Sequence, residues 1–129
     1  MKFKRYQDAR GHYKVGDIVW GCAYTCSGDK ESKRFFQEPI KGQFTASNRE
    51  VTNTAIMATA AQKGTYVEPR YFVPFKKNGV DLAWSKAVNF TARMYADTYA
   101  ESVELYNDKI QEYIDWFENE VKEMKAQKI

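Results

Sequence analysis

The stretch YADTYAESVELYN, Tyr95 to Asn107, decides how this chain is read, because its first residues close a strand and its last ones belong to a helix. Thr98 followed three residues later by Glu101 is a capping box, in which a hydroxyl and a carboxylate satisfy the backbone donors left free at a helix start. Beyond the cap, Ala100, Val103, Asn107, Ile110, Ile114, Phe117, Val121 and Met124 recur at alternating spacings of three and four. That is the pattern of an apolar heptad seam. Tyr99, Tyr106 and Tyr113 lie seven apart beside the seam and widen the stripe, enough for the helix to cover a sheet and still offer a face to something else.

Length sharpens the expectation. A helix of about 30 residues spans roughly 45 Å, whereas a compact body of this chain length is only about 35 Å across. The helix must overhang, bend or pair. Self-association through Val103, Tyr106, Asn107, Ile110, Ile114 and Phe117 is the expected outcome, with Asn107 on the seam fixing register and oligomer number. The alternative is a single kinked or curved helix lying across its own sheet.

Working back from Tyr95, AWSKAVNFTARMYA alternates with a two-residue period. Val88, Phe90, Ala92 and Met94 fall on one face, and Asn89, Thr91, Arg93 and Tyr95 on the other. GTYVEPRYFVPF is extended, since Pro69 and Pro74 forbid a helix interior, and it reads as an edge strand. NREVTNTAIMATAAQKG, residues 48–64, mixes strand and helix formers and reads as an irregular strand. RFFQEPIKGQFTAS gives one broken strand or two short ones, because Pro39 cannot donate to a ladder and Gly42 invites a bend or bulge. KVGDIVWGCAYTC reads as a turn at Gly16 and Asp17 followed by a strand with Ile18, Trp20, Cys22 and Tyr24 on one face, and SGDKES reverses the chain. The fold class expected is α+β: a small antiparallel β-sheet or partial barrel followed by one long C-terminal helix.

At 129 residues the chain has the length of one domain. With 43% hydrophobic and 29% charged residues it has the composition of a folded protein. The polar, charged N-terminus MKFKRYQDARGHYK is unlike a signal peptide, and no apolar run is long enough to span a bilayer. A cytoplasmic location without membrane partners is expected. Charge divides unevenly: residues 1–97 carry 16 Lys and Arg against 9 Asp and Glu, a net +7, and residues 98–129 carry 4 against 8, a net −4. A basic β-rich layer suits an anionic partner, and it equally suits attraction to the acidic helix, within the chain or between copies.

Catalytic signatures are absent from the sequence. It has no Gly-rich phosphate loop, no HExxH, no paired CxxC and no nucleophile elbow. The lone His12 lies in an N-terminal segment read as a loop. Cys22 and Cys26 share one parity about 13 Å apart along a strand, too far for a disulfide, and read as small buried residues. Glu101, Glu104, Asp108 and Glu112 read as a solvated helix face. A non-enzymatic binding role, with no cofactor or metal, is therefore expected. Asn89, Thr91, Arg93 and Tyr95 combine a planar cation, amide and hydroxyl groups and an aromatic ring, which suits a phosphate or a stacked base. Arg70 and Tyr71 repeat the mixture, as do Lys33, Arg34, Phe35 and Phe36.

The opening YKVGDIVWG resembles the first strand of small barrels of the Src-homology, Tudor and KOW type, and implies a small, strongly bent antiparallel sheet over residues 12–96. The stretch YADTYAESVELYN resembles the end of many short bacteriophage proteins. A small sheet followed by an assembling C-terminal helix is similar in architecture to the viral anti-defence sponges. Those proteins sequester cyclic nucleotide or cyclic ADP-ribose signals at subunit junctions without cleaving them. The resemblance implies a homo-oligomeric viral protein in a bacterial host's cytoplasm that binds a small phosphorylated nucleotide. A small-barrel module that binds nucleic acid, or one that inhibits a host enzyme, is the alternative.

Overall fold

The computed structural model describes residues 1–25, 35–45, 72–75 and 92–129. In chain order these form β1 (Lys2–Phe3), α1 (Tyr6–His12), β2 (Ile18–Thr25), β3 (Phe35–Phe44), β4 (Phe72–Pro74), β5 (Arg93–Ala96) and α2 (Tyr99–Ala126). The strands make one five-stranded sheet in the order β1-β5-β2-β3-β4, with every neighbouring pair antiparallel. An α+β fold with a long C-terminal helix is what the sequence leads one to expect.

The two-residue period of β2 sorts the sheet into two faces. Trp20, Cys22 and Tyr24 point toward α2: Trp20 meets Tyr99 with ring centroids 5.0 Å apart, Tyr24 meets Tyr113 at 4.9 Å, and Cys22 lies in a cluster with Met94, Ala96 and Leu105. Val19 and Ala23 point the other way, into a cluster with Ala9, Tyr13, Val15, Phe44, Phe72 and Tyr95. The sheet is thus packed on both sides, by α2 on one and by α1 with the segment after it on the other.

Local chemistry sets the corners. The backbone N–H of Asp17 donates to the carbonyl of Lys14 at 3.0 Å, closing a four-residue turn. Gly16 occupies its third position at φ 101°, a left-handed value that favours glycine. The expected break in β3 is real, and it leaves one bulged strand: Gly21 pairs with Ile40 but Ala23 with Gln37, so Glu38 and Pro39 together oppose Cys22 alone. The bulge re-aims the strand. Phe44, Gly42 and Ile40 share a parity with Phe36, yet Phe44 joins the cluster remote from α2, whereas Phe36 stacks on Tyr24, on the helix side. β4 is an edge strand, as the proline-framed sequence predicts.

Two elements are absent from the sequence reading. The N-terminal segment, read as polar and irregular, supplies both β1 and α1. Neither advertises itself, because β1 is two residues long and α1 buries only Ala9, with no side-chain cap at Arg5. His12 is the last residue of α1 and packs its ring against Phe3 and Tyr13.

The start of α2 is capped as expected, with one difference. The N–H of Glu101 donates to Oγ1 of Thr98 at 3.2 Å, but the Glu101 carboxylate accepts from the Thr98 hydroxyl at 2.9 Å rather than from the Thr98 backbone. That carboxylate is shared with the chain's N-terminal ammonium at 2.6 Å. The helix then runs 28 residues, close to the length its seam predicts.

Candidate functional site

At its described residues, Arg93 and Tyr95, the strand face proposed for a ligand is an inner face. Tyr95 is 0% exposed, with its ring centroid 5.1 Å from that of Phe44 and 5.2 Å from that of Phe72. Arg93 is 3% exposed, and burial pulls its guanidinium below the usual arginine range, partly offset by the neighbouring Tyr95 hydroxyl. Burial likewise raises the Tyr95 phenol. A fully covered ring cannot stack on a base, which corrects the expectation that Arg93 and Tyr95 form an accessible surface. Asn89, Thr91, Arg70 and Tyr71 lie outside the described residues, as do Cys26, Lys33, Arg34 and residues 48–64.

The acidic helix face is not simply solvated. The Met1 ammonium reaches Asp97 at 3.2 Å and Glu101 at 2.6 Å, Lys2 reaches Glu104 at 2.6 Å, and Lys4 reaches Glu112 at 3.0 Å. Tyr13, buried beneath, donates its hydroxyl to Asp97 at 2.7 Å. The charge asymmetry is therefore satisfied at least partly within the chain, by a basic N-terminal arm lying along one flank of α2. Each exposed pair contributes little in water, but the four together fix where the arm lies.

These pairs shape the pH response. The ammonium bound to Glu101 is raised, as is Lys2 by Glu104; Glu101 and Glu112 are lowered by Met1 and Lys4 respectively. Burial would raise Asp97, but the Tyr13 hydroxyl and the ammonium outweigh it and hold it low. The lowered carboxylates stabilise the fold fully above about pH 5 and lose that contribution as pH falls through their folded values. The raised amines stabilise it fully below about pH 8 and lose theirs as pH rises through their folded values. Urea midpoints should therefore plateau between about pH 5 and 8 and decline on both sides. A midpoint that climbs steadily above pH 9 would show that the arm is not docked in solution.

The opposite flank of α2 is open. Beyond Tyr113, whose ring still meets the sheet, a groove of about 620 Å³ is lined by Tyr24, Ile114, Phe117, Glu118, Val121, Lys122 and Lys125. Glu118, Val121, Lys122 and Lys125 stand at i, i+3, i+4 and i+7, so one side of the helix presents them together. Ile114 and Val121 are 41% and 44% exposed. Comparison with family models, curated proteins and solved structures finds no match.

The residues expected at an oligomer interface are divided by the fold. Tyr106 packs against the Cys22, Met94, Ala96 and Leu105 cluster on the sheet, Val103 and Ile110 are half-buried, and Asn107 is exposed. Ile114 and Phe117 line the groove. The sequence places Tyr24 on a strand face but not at a site, and does not single out the two groove lysines, although the helical spacing of 118, 121, 122 and 125 contained their signal. Cys22 donates a weak hydrogen bond to the carbonyl of Ser102 at 3.5 Å, and burial pushes its thiol up to about 11, which leaves it an inert core residue. Among the described residues, no cluster of three His, Cys, Asp or Glu is placed to hold a metal ion, and no helix is long and apolar enough to cross a membrane.

Proposed function

We propose that this chain is a non-catalytic binding protein that takes up a small phosphorylated nucleotide, of the cyclic or ADP-ribose type, and withholds it in the manner of viral anti-defence sponges. The observation that carries this reading is the groove itself. Its volume of about 620 Å³ falls in the range of small-molecule sites, roughly 300–1,000 Å³. Aromatic side chains at Tyr24 and Phe117 and aliphatic ones at Ile114 and Val121 offer surface for a base. Lys122 and Lys125 offer ammonium groups to a phosphate, and Glu118 can accept from a ribose hydroxyl or a base N–H. The ligand class is the one the sequence suggests, while the site is moved from β5 to α2.

Melting curves recorded with a panel of cyclic nucleotides and ADP-ribose derivatives test it. A genuine ligand at a hundredfold excess over Kd adds about 2.7 kcal/mol of stability. Lys122→Ala, at an exposed position, should weaken binding about tenfold by removing one charge-assisted contact. If no nucleotide moves the melting temperature, or if Lys122→Ala and Lys125→Ala both bind as tightly as the wild type, the groove is not a nucleotide site.

A further inference from the structure

In the second half of α2, charged residues flank the exposed end of the apolar seam. The first half of the helix is occupied: Ser102 and Leu105 are buried against the sheet, and Glu104 and Glu112 are engaged by the N-terminal arm. From Ile114 onward the apolar seam emerges into the open, with Val121 44% and Met124 57% exposed. On the groove side of this segment, Glu118 precedes Val121 and Lys125 follows it.

We infer that two copies pair through this segment in antiparallel fashion, about a two-fold axis near Val121. A closed symmetric dimer must place the same patch on both sides of its axis. An antiparallel arrangement centred at Val121 sets Val121 against its own counterpart and Phe117 near Met124 of the second copy. It also brings Glu118 alongside Lys125 of the second copy, twice over by symmetry. A parallel, in-register arrangement instead puts this flank of the two copies on opposite sides of the seam, where Glu118 of one cannot reach Lys125 of the other, and flanking charges of this kind are what set helix orientation. The apolar surface calls for cover, and the charge order selects which cover fits. Phe117, Glu118, Val121 and Lys125 also line the groove offered to the nucleotide, so a second copy and a nucleotide compete for it. The dimer does not depend on the nucleotide reading, because nothing in its argument invokes a ligand.

Charge reversal tests it on the full-length protein without any nucleotide present. Light scattering at micromolar concentration should give twice the 15.0 kDa chain mass. Glu118→Lys turns each cross-axis attraction into a repulsion, and so does Lys125→Glu. Either should raise the dimer dissociation constant by about tenfold or more. The double variant Glu118→Lys with Lys125→Glu restores both pairs and should return the constant to the wild-type value. Such recovery rules out misfolding as the cause of the single-variant losses, and a parallel dimer would show no such recovery. A wild-type monomer, or a dimer whose dissociation constant is the same in all three variants, overturns the proposal.

Discussion

Replacing Tyr95 with alanine is expected to remove about 3–5 kcal/mol of stability, the usual cost of deleting a buried aromatic ring, out of a total that for most domains is about 5–15 kcal/mol. The ring is wholly covered and bridges β5 to β3 and β4 through Phe44 and Phe72, so its removal empties the centre of the cluster remote from α2. The loss also takes away the hydroxyl that offsets the burial of Arg93. Tyr95→Phe separates the two contributions: it keeps the ring and should cost about 1–3 kcal/mol for the buried hydrogen-bonding group alone. Urea unfolding of both variants provides the measurement. A Tyr95→Ala protein as stable as the wild type would mean that the ring faces solvent and would revive the β5 face as a binding surface.

The second large effect is expected at Gly42. A Cβ built there would lie 2.5 Å from Cζ of Phe72 and 2.7 Å from the carbonyl oxygen of Val73, both far inside contact distance. The Phe72 ring is buried and cannot swing away, and the Val73 oxygen is backbone of the paired strand. Gly42→Ala should therefore cost about 1–3 kcal/mol, the range for overpacking a filled core, by forcing β4 away from β3. Gly11 is the control. A Cβ at that position meets nothing within 4 Å, and Gly11 lies in α1, so Gly11→Ala should be neutral or stabilising by up to about 1 kcal/mol. Equal melting temperatures for the two alanine variants would contradict the close approach of β3 and β4.

What the sequence disclosed depended on how local the cause was. The row of Trp20, Cys22 and Tyr24 is legible because a two-residue period needs no knowledge of the partner. The Thr98 cap and the bulge at Pro39 are legible because each arises within a few residues of backbone. The inner role of Arg93 and Tyr95 was not, since a cation and a hydroxyl at alternate positions look the same whether the face is wet or covered by a second layer. The cover came from Ala9, Tyr13 and Val15, in a segment with too few apolar residues to show a stripe. The groove was half legible. Ile114 and Phe117 belonged to the visible seam, but Tyr24 joins them only once the helix is laid on the sheet.

The docking of the N-terminal arm has a consequence for the order in which the molecule can be completed. Met1, Lys2 and Lys4 find partners 96, 102 and 108 residues away, and among the described strands β1 pairs only with β5. On a ribosome, where synthesis proceeds from the N-terminus, β1 is made well before β5, the strand it needs in order to be placed. It must wait until β5 and the opening turns of α2 have left the exit tunnel, and closing so long a loop is slow by its topology. Until then the outer edge of β5 has no neighbour from its own chain among the described strands. The arm is thus a closing clasp, fastened after the body it holds has formed.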